Sequence, residues 1–308
     1  MKIQNKFLEN ILERSLKTSS KIFLPEFDDL RVKEAVNILI SLGFEVININ
    51  DILRNKDRYY DLISSKNFTK NWTRKMKEDF LFSPMNLGMV ALENNDINCL
   101  VAGANHPTSE VLRSAIRIIG VKKESRWISS IFLMLSQQNK IAYTFADCGV
   151  IPDPNSDQLS SIAYESSKFH EFLIGDKPKI AFLSFSTKGS AEHYKVKKVQ
   201  RAVEIFRKNY PDIIHEGEIQ FDVAVNKKIS DSKVGNSLLK GDANVFIFPD
   251  LDSANIAYKV TQYLGNYIAL GPLLQGLNKP VHDLSRGCSV QDIVYVSAIA
   301  ALQTKKTL

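Results

Sequence analysis

The chain has 308 residues, of which 44% are hydrophobic and 24% charged, and its formal net charge is +6, a composition typical of a globular protein with one or two domains. No apolar run approaches the roughly 20 residues that cross a bilayer, and neither the three cysteines nor the five histidines have the spacing of a disulfide framework or a zinc site. We therefore expect no membrane or metal partner, and the basic excess alone does not predict a nucleic-acid partner.

The N-terminal residues 1–12 carry charges and amides where a signal peptide has a continuous apolar stretch, so we expect a cytoplasmic protein. Ile3, Phe7, Ile11 and Leu12 fall on one face of a helix, which predicts an amphipathic helix at the start of the chain.

Short apolar segments then alternate with amphipathic ones. The predicted strands cover residues 21–24, 45–49, 98–101, 179–183 and 244–248. The predicted helices cover residues 30–42, 110–119, 156–172 and 191–209, and the polar segment 57–79 predicts helix and loop. Alternation of this kind predicts an α/β fold with largely parallel sheets, whose ligands bind beyond the carboxyl ends of the strands.

Two segments that follow predicted strands suit an anion. Residues 184–190 offer backbone N–H groups with Ser186 and Lys188, although a plain turn with a helix cap fits the same residues. After the strand at 98–101, small and hydroxyl residues precede a helix that carries Arg113, which is equally consistent with an ordinary surface arginine. No dinucleotide-binding glycine motif, Walker A loop or hydrolase elbow is present.

The segment near the C-terminus is the most informative. Ser285 and Arg286 lie between turn-forming residues, directly before a helical pattern that begins at Ser289, and a helix N-terminus favours an anion through its unpaired N–H groups and its dipole. Asp292 completes a Ser-x-x-Asp capping pattern, while a second interpretation makes it a general base. Cys288 lacks a histidine placed as its base, so we favour a small buried residue over a nucleophile.

The segment 271–289 reads GPLLQG, then KPV, then DLSRGCS, and further specific stretches lie at 145–147, 183–190, 217–222 and 245–251. With these stretches in this order, the chain resembles the phosphate acetyltransferase (phosphotransacetylase) family in its short, stand-alone form, from about Lys21 to Gln303. The resemblance implies a reversible reaction in which acetyl-CoA and phosphate give acetyl phosphate and CoA. It implies no cofactor besides CoA as a substrate, and a homodimer.

The resemblance also implies the domain organisation. It predicts two three-layer α/β domains with largely parallel sheets and a cleft between them. The first domain would be discontinuous, with residues 1–123 and 273–308, and residues 124–272 would form the second.

Site residues are carried over by position. Ser285 and Arg286 match the family's active-site pair, Asp292 its proposed base and Arg113 a cleft arginine. Six further residues are predicted to bind substrate, of which the first two match hydroxyl residues that line the family's cleft: Thr108, Ser109, Ser186, Lys188, Gln275 and Lys279.

The predicted mechanism is a direct transfer within a ternary complex. Asp292 accepts the CoA thiol proton as the sulfur attacks the acetyl carbon, Ser285 stabilises the oxyanion, and Arg286 and Arg113 hold phosphate oxygens.

Two alternatives stay open from the sequence. One is a phosphate butyryltransferase-like enzyme with a longer acyl substrate. The other is a non-catalytic binding homologue, which is favoured only by the absence of an arginine from residues 61–66, where family members often carry one. A decarboxylating dehydrogenase is more remote, because no cofactor loop or carboxylate metal site is visible.

Overall fold

A computed structural model describes residues 5–138 and 141–305. Its strands are β1 Lys21–Phe23, β2 Glu45–Val46, β3 Cys99–Ala102, β4 Ser129–Ser136, β5 Ala142–Ala146, β6 Lys179–Leu183, β7 Ile214–Ile219, β8 Val245–Ile247, β9 Tyr267–Gln275 and β10 Val281–Asp283. Its α-helices are α1 Lys6–Leu16, α2 Leu30–Leu42, α3 Ile49–Leu53, α4 Lys56–Ser65, α5 Arg74–Phe82, α6 Pro84–Glu93, α7 Thr108–Ile118, α8 Ser156–Ile174, α9 Tyr194–Asn209, α10 Phe221–Val225, α11 Lys227–Lys233, α12 Leu251–Tyr263 and α13 Val290–Gln303. A short 3₁₀ helix spans Asn67–Thr69.

The chain divides into two compact units. The first comprises Met1–Glu124 and Gly271–Leu308, and the second comprises Ser125–Leu270.

The first unit contains a four-stranded parallel sheet with the strand order β10-β3-β1-β2. All four residues of β3 are buried, as expected when helices cover both faces of a parallel strand. The apolar helices α6 and α13 both pack against β3. Helix α2 begins where the Asp29 side chain accepts the N–H of Arg31, and it ends at Gly43, whose φ of 98° favours glycine.

The second unit contains a six-stranded sheet with the order β7-β6-β8-β5-β4-β9. Strands β5, β6, β7 and β8 pair in parallel, whereas β4 is antiparallel to β5. All eight residues of β4 are buried, and Phe132, Phe145 and Phe246 form part of the core beside the sheet. Helix α8 begins with a capping box between Asn155 and Gln158.

Most predicted elements are confirmed. The helix at 30–42 and the strand at 179–183 have the predicted bounds, and the ends of the other predicted helices move by no more than three residues. The strand predicted over 45–49 is wrong beyond Val46, because Asn48 caps the short helix α3. In α1, Ile11 and Leu12 are buried as predicted, while Ile3 lies outside the described residues.

The fold class is confirmed as α/β with mostly parallel sheets. Within the described ranges, none of the helices combines the length and apolar character that a membrane span requires.

Candidate active site

Three neighbouring strands of the first unit bring the candidate residues together. Strands β1, β3 and β10 run parallel, with Phe23 paired to Leu100 and Asp283 paired to Ala102. Their carboxyl ends therefore meet at one edge of the sheet, where ligands of open α/β sheets bind. Glu26 follows β1, residues 103–108 follow β3, and Ser285 follows β10.

The residues after β10 form a tight turn, here named the 285–288 turn. The N–H of Cys288 donates to the carbonyl of Ser285 at 2.8 Å, and the N–H of Gly287 donates to Ser285 Oγ at 3.3 Å. Ser285 and Arg286 are both exposed. The turn therefore presents a hydroxyl and a guanidinium to solvent at the edge of the sheet.

Helix α13 follows this turn and begins with a capping box. The Asp292 N–H donates to Ser289 Oγ at 3.2 Å, and Asp292 Oδ2 accepts from Ser289 N at 2.8 Å and Ser289 Oγ at 2.9 Å. The predicted cap is confirmed. Asp292 Oδ1 makes no hydrogen bond to any residue that the structure describes, so one carboxylate oxygen is available to a substrate proton.

The loop after β3 is held by a buried carboxylate. Glu26 accepts the backbone N–H groups of Ala104, Asn105 and His106, each at 2.8 Å, and its Oε1 lies 2.8 Å from His106 Nδ1. Three N–H donors on one carboxylate fix the conformation of the loop that leads into α7.

A second contact joins the loops after β3 and β10. The Thr108 hydroxyl donates to Asp283 Oδ2 at 2.5 Å, and burial raises the pKa of Asp283 to about 7. Gly103 fits tightly here: it has a φ of 102°, and a Cβ at this position would lie 2.1 Å from Asp283 Oδ1. Thr108 thus has a protein partner, while Ser109 beside it is exposed.

Arg113 lines a cavity of about 230 Å³ beside α7. Asn86, His106, Glu110 and Arg117 also line this cavity. Because His106 is bound to Glu26 through its Nδ1 atom, the cavity shares one residue with the loop that follows β3.

The guanidinium groups of Arg113 and Arg286 have no ion-pair partner among residues 5–138 and 141–305. Both residues are exposed. An arginine that is not neutralised within the protein is suited to bind phosphate oxygens through its planar fork.

Two other predicted substrate ligands belong to the first unit. Lys279 donates from Nζ to the carbonyls of Leu92 and Glu93 and to Asn95 Oδ1, at 2.7, 2.8 and 2.8 Å. It therefore places a cation at the C-terminus of α6, where the helix dipole favours one. Gln275 is buried at the end of β9.

Ser186 and Lys188 lie in the second unit, in the loop after β6. Ser186 is fully buried, and its hydroxyl donates to Glu218 Oε1 at 3.0 Å. The Lys188 ammonium lies 3.1 Å from Glu216. Both side chains therefore have partners within the protein, and their role in substrate binding stays a prediction.

Cys288 is buried. Burial raises the pKa of its thiol to about 11, and the nearby Arg31 guanidinium only partly offsets this effect. Since the thiolate is the nucleophilic form, this environment favours the interpretation of Cys288 as a small core residue.

Sequence reasoning missed two residues at this edge of the sheet, Glu26 and Arg31. Both act on backbone groups far away in the sequence. In the described part of the chain, no three His, Cys, Asp or Glu side chains are grouped so that they can hold a metal ion.

Comparison with known proteins gives the family. The family model described as "Phosphate acetyl/butaryl transferase" matches residues 40–301. The chain belongs to this family. The resemblance found in the segment 271–289 is therefore confirmed.

Individual relatives agree with this assignment. A phosphate acetyltransferase from Acetivibrio thermocellus is 36% identical over 330 residues, covering 97% of this chain and 98% of that protein. A phosphotransacetylase structure from Streptococcus pyogenes is 34% identical, with a TM-score of 0.86 and 99% of each chain covered. A branched-chain phosphotransacylase from Enterococcus faecalis, 17% identical with a TM-score of 0.67 and covering 92% of this chain and 99% of that chain, shares the fold alone.

Proposed function

We propose that the chain catalyses the reversible transfer of an acetyl group between CoA and inorganic phosphate, so that acetyl-CoA and phosphate give acetyl phosphate and CoA. One observation supports the assignment of the active site. In a member of this family, the 285–288 turn presents the Ser285 hydroxyl and an unpaired Arg286 guanidinium directly before the helix that bears Asp292.

Asp292 accepts the proton of the attacking thiol. A thiol has an ordinary pKa of roughly 8.5, so only a small fraction is thiolate at neutral pH. The free Oδ1 atom of Asp292 takes this proton while the CoA sulfur attacks the acetyl carbon of acetyl phosphate. The carbon–sulfur bond forms, and the bond from the acetyl carbon to the phosphate oxygen breaks.

Ser285 and Arg286 stabilise the charges that develop. The Ser285 hydroxyl donates to the carbonyl oxygen as it becomes an oxyanion, and loss of such a donor typically lowers kcat on the order of 10²–10³-fold. Arg286 binds the departing phosphate through two parallel N–H donors, a geometry that lysine does not reproduce. The transfer is direct and involves no acyl-enzyme.

Arg113 binds a second negatively charged part of the substrates in the cavity beside α7. Its unpaired guanidinium and the neighbouring Arg117 place two cations on one helix face. The exposed Ser109 hydroxyl lies on the first turn of that helix and serves as a substrate ligand.

The remaining predicted substrate ligands also have partners within the protein. Thr108 fixes Asp283, Lys279 fixes the end of α6, and Ser186 and Lys188 fix the loop after β6. Gln275, buried at the end of β9, is the fifth of these predicted ligands. We further propose a cytoplasmic location and a homodimer. CoA is a substrate, and we propose no cofactor besides it.

The test is phosphate-dependent release of CoA from acetyl-CoA, followed by titration of the free thiol. We expect release only when phosphate is present, and comparable rates with acetyl phosphate and CoA in the reverse direction. Absence of release would overturn the proposal and favour a non-catalytic homologue. Faster turnover of butyryl phosphate than of acetyl phosphate would instead assign the longer acyl substrate.

A further inference from the structure

The 285–288 turn contains few hydrogen bonds between its own residues. Its internal contacts use the carbonyl and the hydroxyl of Ser285 as acceptors. They leave the carbonyls of Arg286 and Cys288 to other partners. Because the exposed Gly287 gives the backbone freedom, the turn needs an external contact to hold a single conformation.

Arg31 supplies that contact from the first turn of α2. Its Nη1 atom donates to the carbonyl of Arg286 at 2.7 Å and to that of Cys288 at 3.2 Å. Its Nη2 atom donates to the carbonyl of Ala104 at 2.9 Å. One guanidinium therefore ties the 285–288 turn to the loop that follows β3.

Asp29 orients the same guanidinium. Arg31 Nε donates to Asp29 Oδ1 at 3.1 Å, and Nη2 donates to Oδ2 at 2.8 Å. Asp29 is itself fixed, because its side chain caps α2 by accepting the Arg31 backbone N–H at 2.8 Å. The planar fork is thus held in place before any substrate binds.

These contacts use the full donor capacity of the side chain. A guanidinium has five N–H donors, and five oxygen acceptors surround it: the two oxygens of Asp29 and the carbonyls of Ala104, Arg286 and Cys288, with Cys288 Sγ as a further, longer contact at 3.9 Å. No donor is left for a phosphate. This feature separates Arg31 from Arg286 and Arg113, whose guanidinium groups lack ion-pair partners within the described residues.

We propose that Arg31 is a positioning residue for acyl transfer: by binding the Arg286 and Cys288 carbonyls, it fixes the 285–288 turn so that the Ser285 hydroxyl and the Arg286 guanidinium keep their reactive orientation. Arg31 does not contact substrate. This inference rests on the proposed role of Ser285 and Arg286.

The experiment compares Arg31→Lys and Arg31→Ala with the wild-type enzyme, with kcat and KM measured separately for CoA and acetyl phosphate. Misplacement of catalytic groups by about 1 Å can cost on the order of 10²-fold in rate. We expect a loss of this size in kcat for Arg31→Ala and of roughly tenfold for Arg31→Lys, with each KM changed by less than about threefold. Added guanidinium, well below denaturing concentrations, should restore part of the kcat of Arg31→Ala.

Lys66→Gln is the matched control. Lys66 also bridges a carboxylate and a carbonyl, Glu93 Oε1 at 2.6 Å and the Ile118 carbonyl at 2.9 Å. Its side chain is 25% exposed, against 31% for Arg31. We expect Lys66→Gln to lower the melting temperature while kcat stays at the wild-type value, without any response to guanidinium.

The outcomes separate this inference from the proposed function. An inactive wild-type enzyme would remove the proposed function itself. An active wild type with unchanged kcat in folded Arg31→Lys would overturn the positioning role. A rise in KM for acetyl phosphate with unchanged kcat would also overturn it, because that pattern indicates an anion ligand. Should Arg31→Ala not fold, Arg31→Lys decides, since it keeps the charge beside Asp29 and loses only the fork.

Discussion

Asp292→Asn separates the two roles that one carboxylate holds at the start of α13. In the structure Oδ2 completes the cap with Ser289, while Oδ1 is open. An amide oxygen still accepts the Ser289 N–H, so we expect the free energy of unfolding to fall by only about 0.5–1 kcal/mol. An amide accepts no proton, so we expect kcat to fall on the order of 10²–10⁴-fold at neutral pH.

The assay is thioester formation from acetyl phosphate and CoA as a function of pH. Without a base, the variant depends on thiolate that is already ionised. Its rate should therefore rise tenfold per pH unit up to the thiol pKa of roughly 8.5. This slope distinguishes the loss of the catalytic base from a loss of folded protein.

Ser289→Ala is the control for the cap. It removes the Ser289 hydroxyl from the box at a cost of about 1 kcal/mol and leaves the Asp292 carboxylate in place. We expect its kcat to stay within about twofold of the wild-type value. A normal rate in Asp292→Asn, or an equal loss in Ser289→Ala, would refute the assignment of Asp292 as the base.

Three further changes test neighbouring parts of the structure. Cys288→Ala should keep its kcat without forming an acetyl-enzyme, because burial raises the thiol pKa to about 11; trapping of acetylated wild-type Cys288 by mass spectrometry would contradict this. Burial also raises the pKa of Asp283 from 3.8 to about 7, so the unfolded chain loses this proton first, and stability should fall by up to about 4 kcal/mol as pH rises from about 4 to 7. The free energy of unfolding of Asp283→Asn, measured in urea at a series of pH values, should lack that decline. A variant that declines as the wild type does would contradict the assignment of the decline to Asp283. His170, buried against Thr144, has its pKa lowered from 6.5 to about 4, so the unfolded chain takes up this proton first and stability should fall by up to about 3 kcal/mol as pH falls through that range. His170→Gln should lessen the acid-side loss in the same measurement, while buried His282, whose pKa is also lowered to about 4, keeps its own share; an unchanged loss in the variant would contradict the role of His170.

Apolar runs predicted the parallel strands β1, β3, β6 and β8 and the start of β2, but not β5, β7 and β10. Strand β10 has only three residues, and its His282 and Asp283 are polar yet buried. His282 Nδ1 accepts the N–H of Leu274 at 3.0 Å, and Asp283 accepts from Thr108. Tertiary hydrogen bonds therefore stabilise a segment whose own sequence predicts no strand.

The antiparallel strand β4 was missed for a different reason. It is buried over all eight residues and contains the continuous apolar run Ile131–Leu135, which is the same kind of run that predicted β3 and β6. A short buried run of this kind is not distinguished from a helix by periodicity alone.

The chemistry of the site was easier to predict than its support. Ser285, Arg286 and Asp292 lie within eight residues of one another, so turn and capping patterns pointed to this segment, and the resemblance to the family implied their roles. Arg31 lies 255 residues from Arg286 in the chain. It acts through backbone carbonyls, which carry no side-chain signature, so only the fold reveals it.

The most direct test of the proposed site is the turnover of Ser285→Ala and Arg286→Gln. Both residues are exposed, and the turn contact that Ser285→Ala removes, from the Gly287 N–H, is itself exposed, so the melting temperatures should stay close to that of the wild-type enzyme. We expect kcat for thioester formation from acetyl phosphate and CoA to fall on the order of 10²–10³-fold in each variant. Wild-type turnover in both folded variants would contradict the assignment of the 285–288 turn as the catalytic centre.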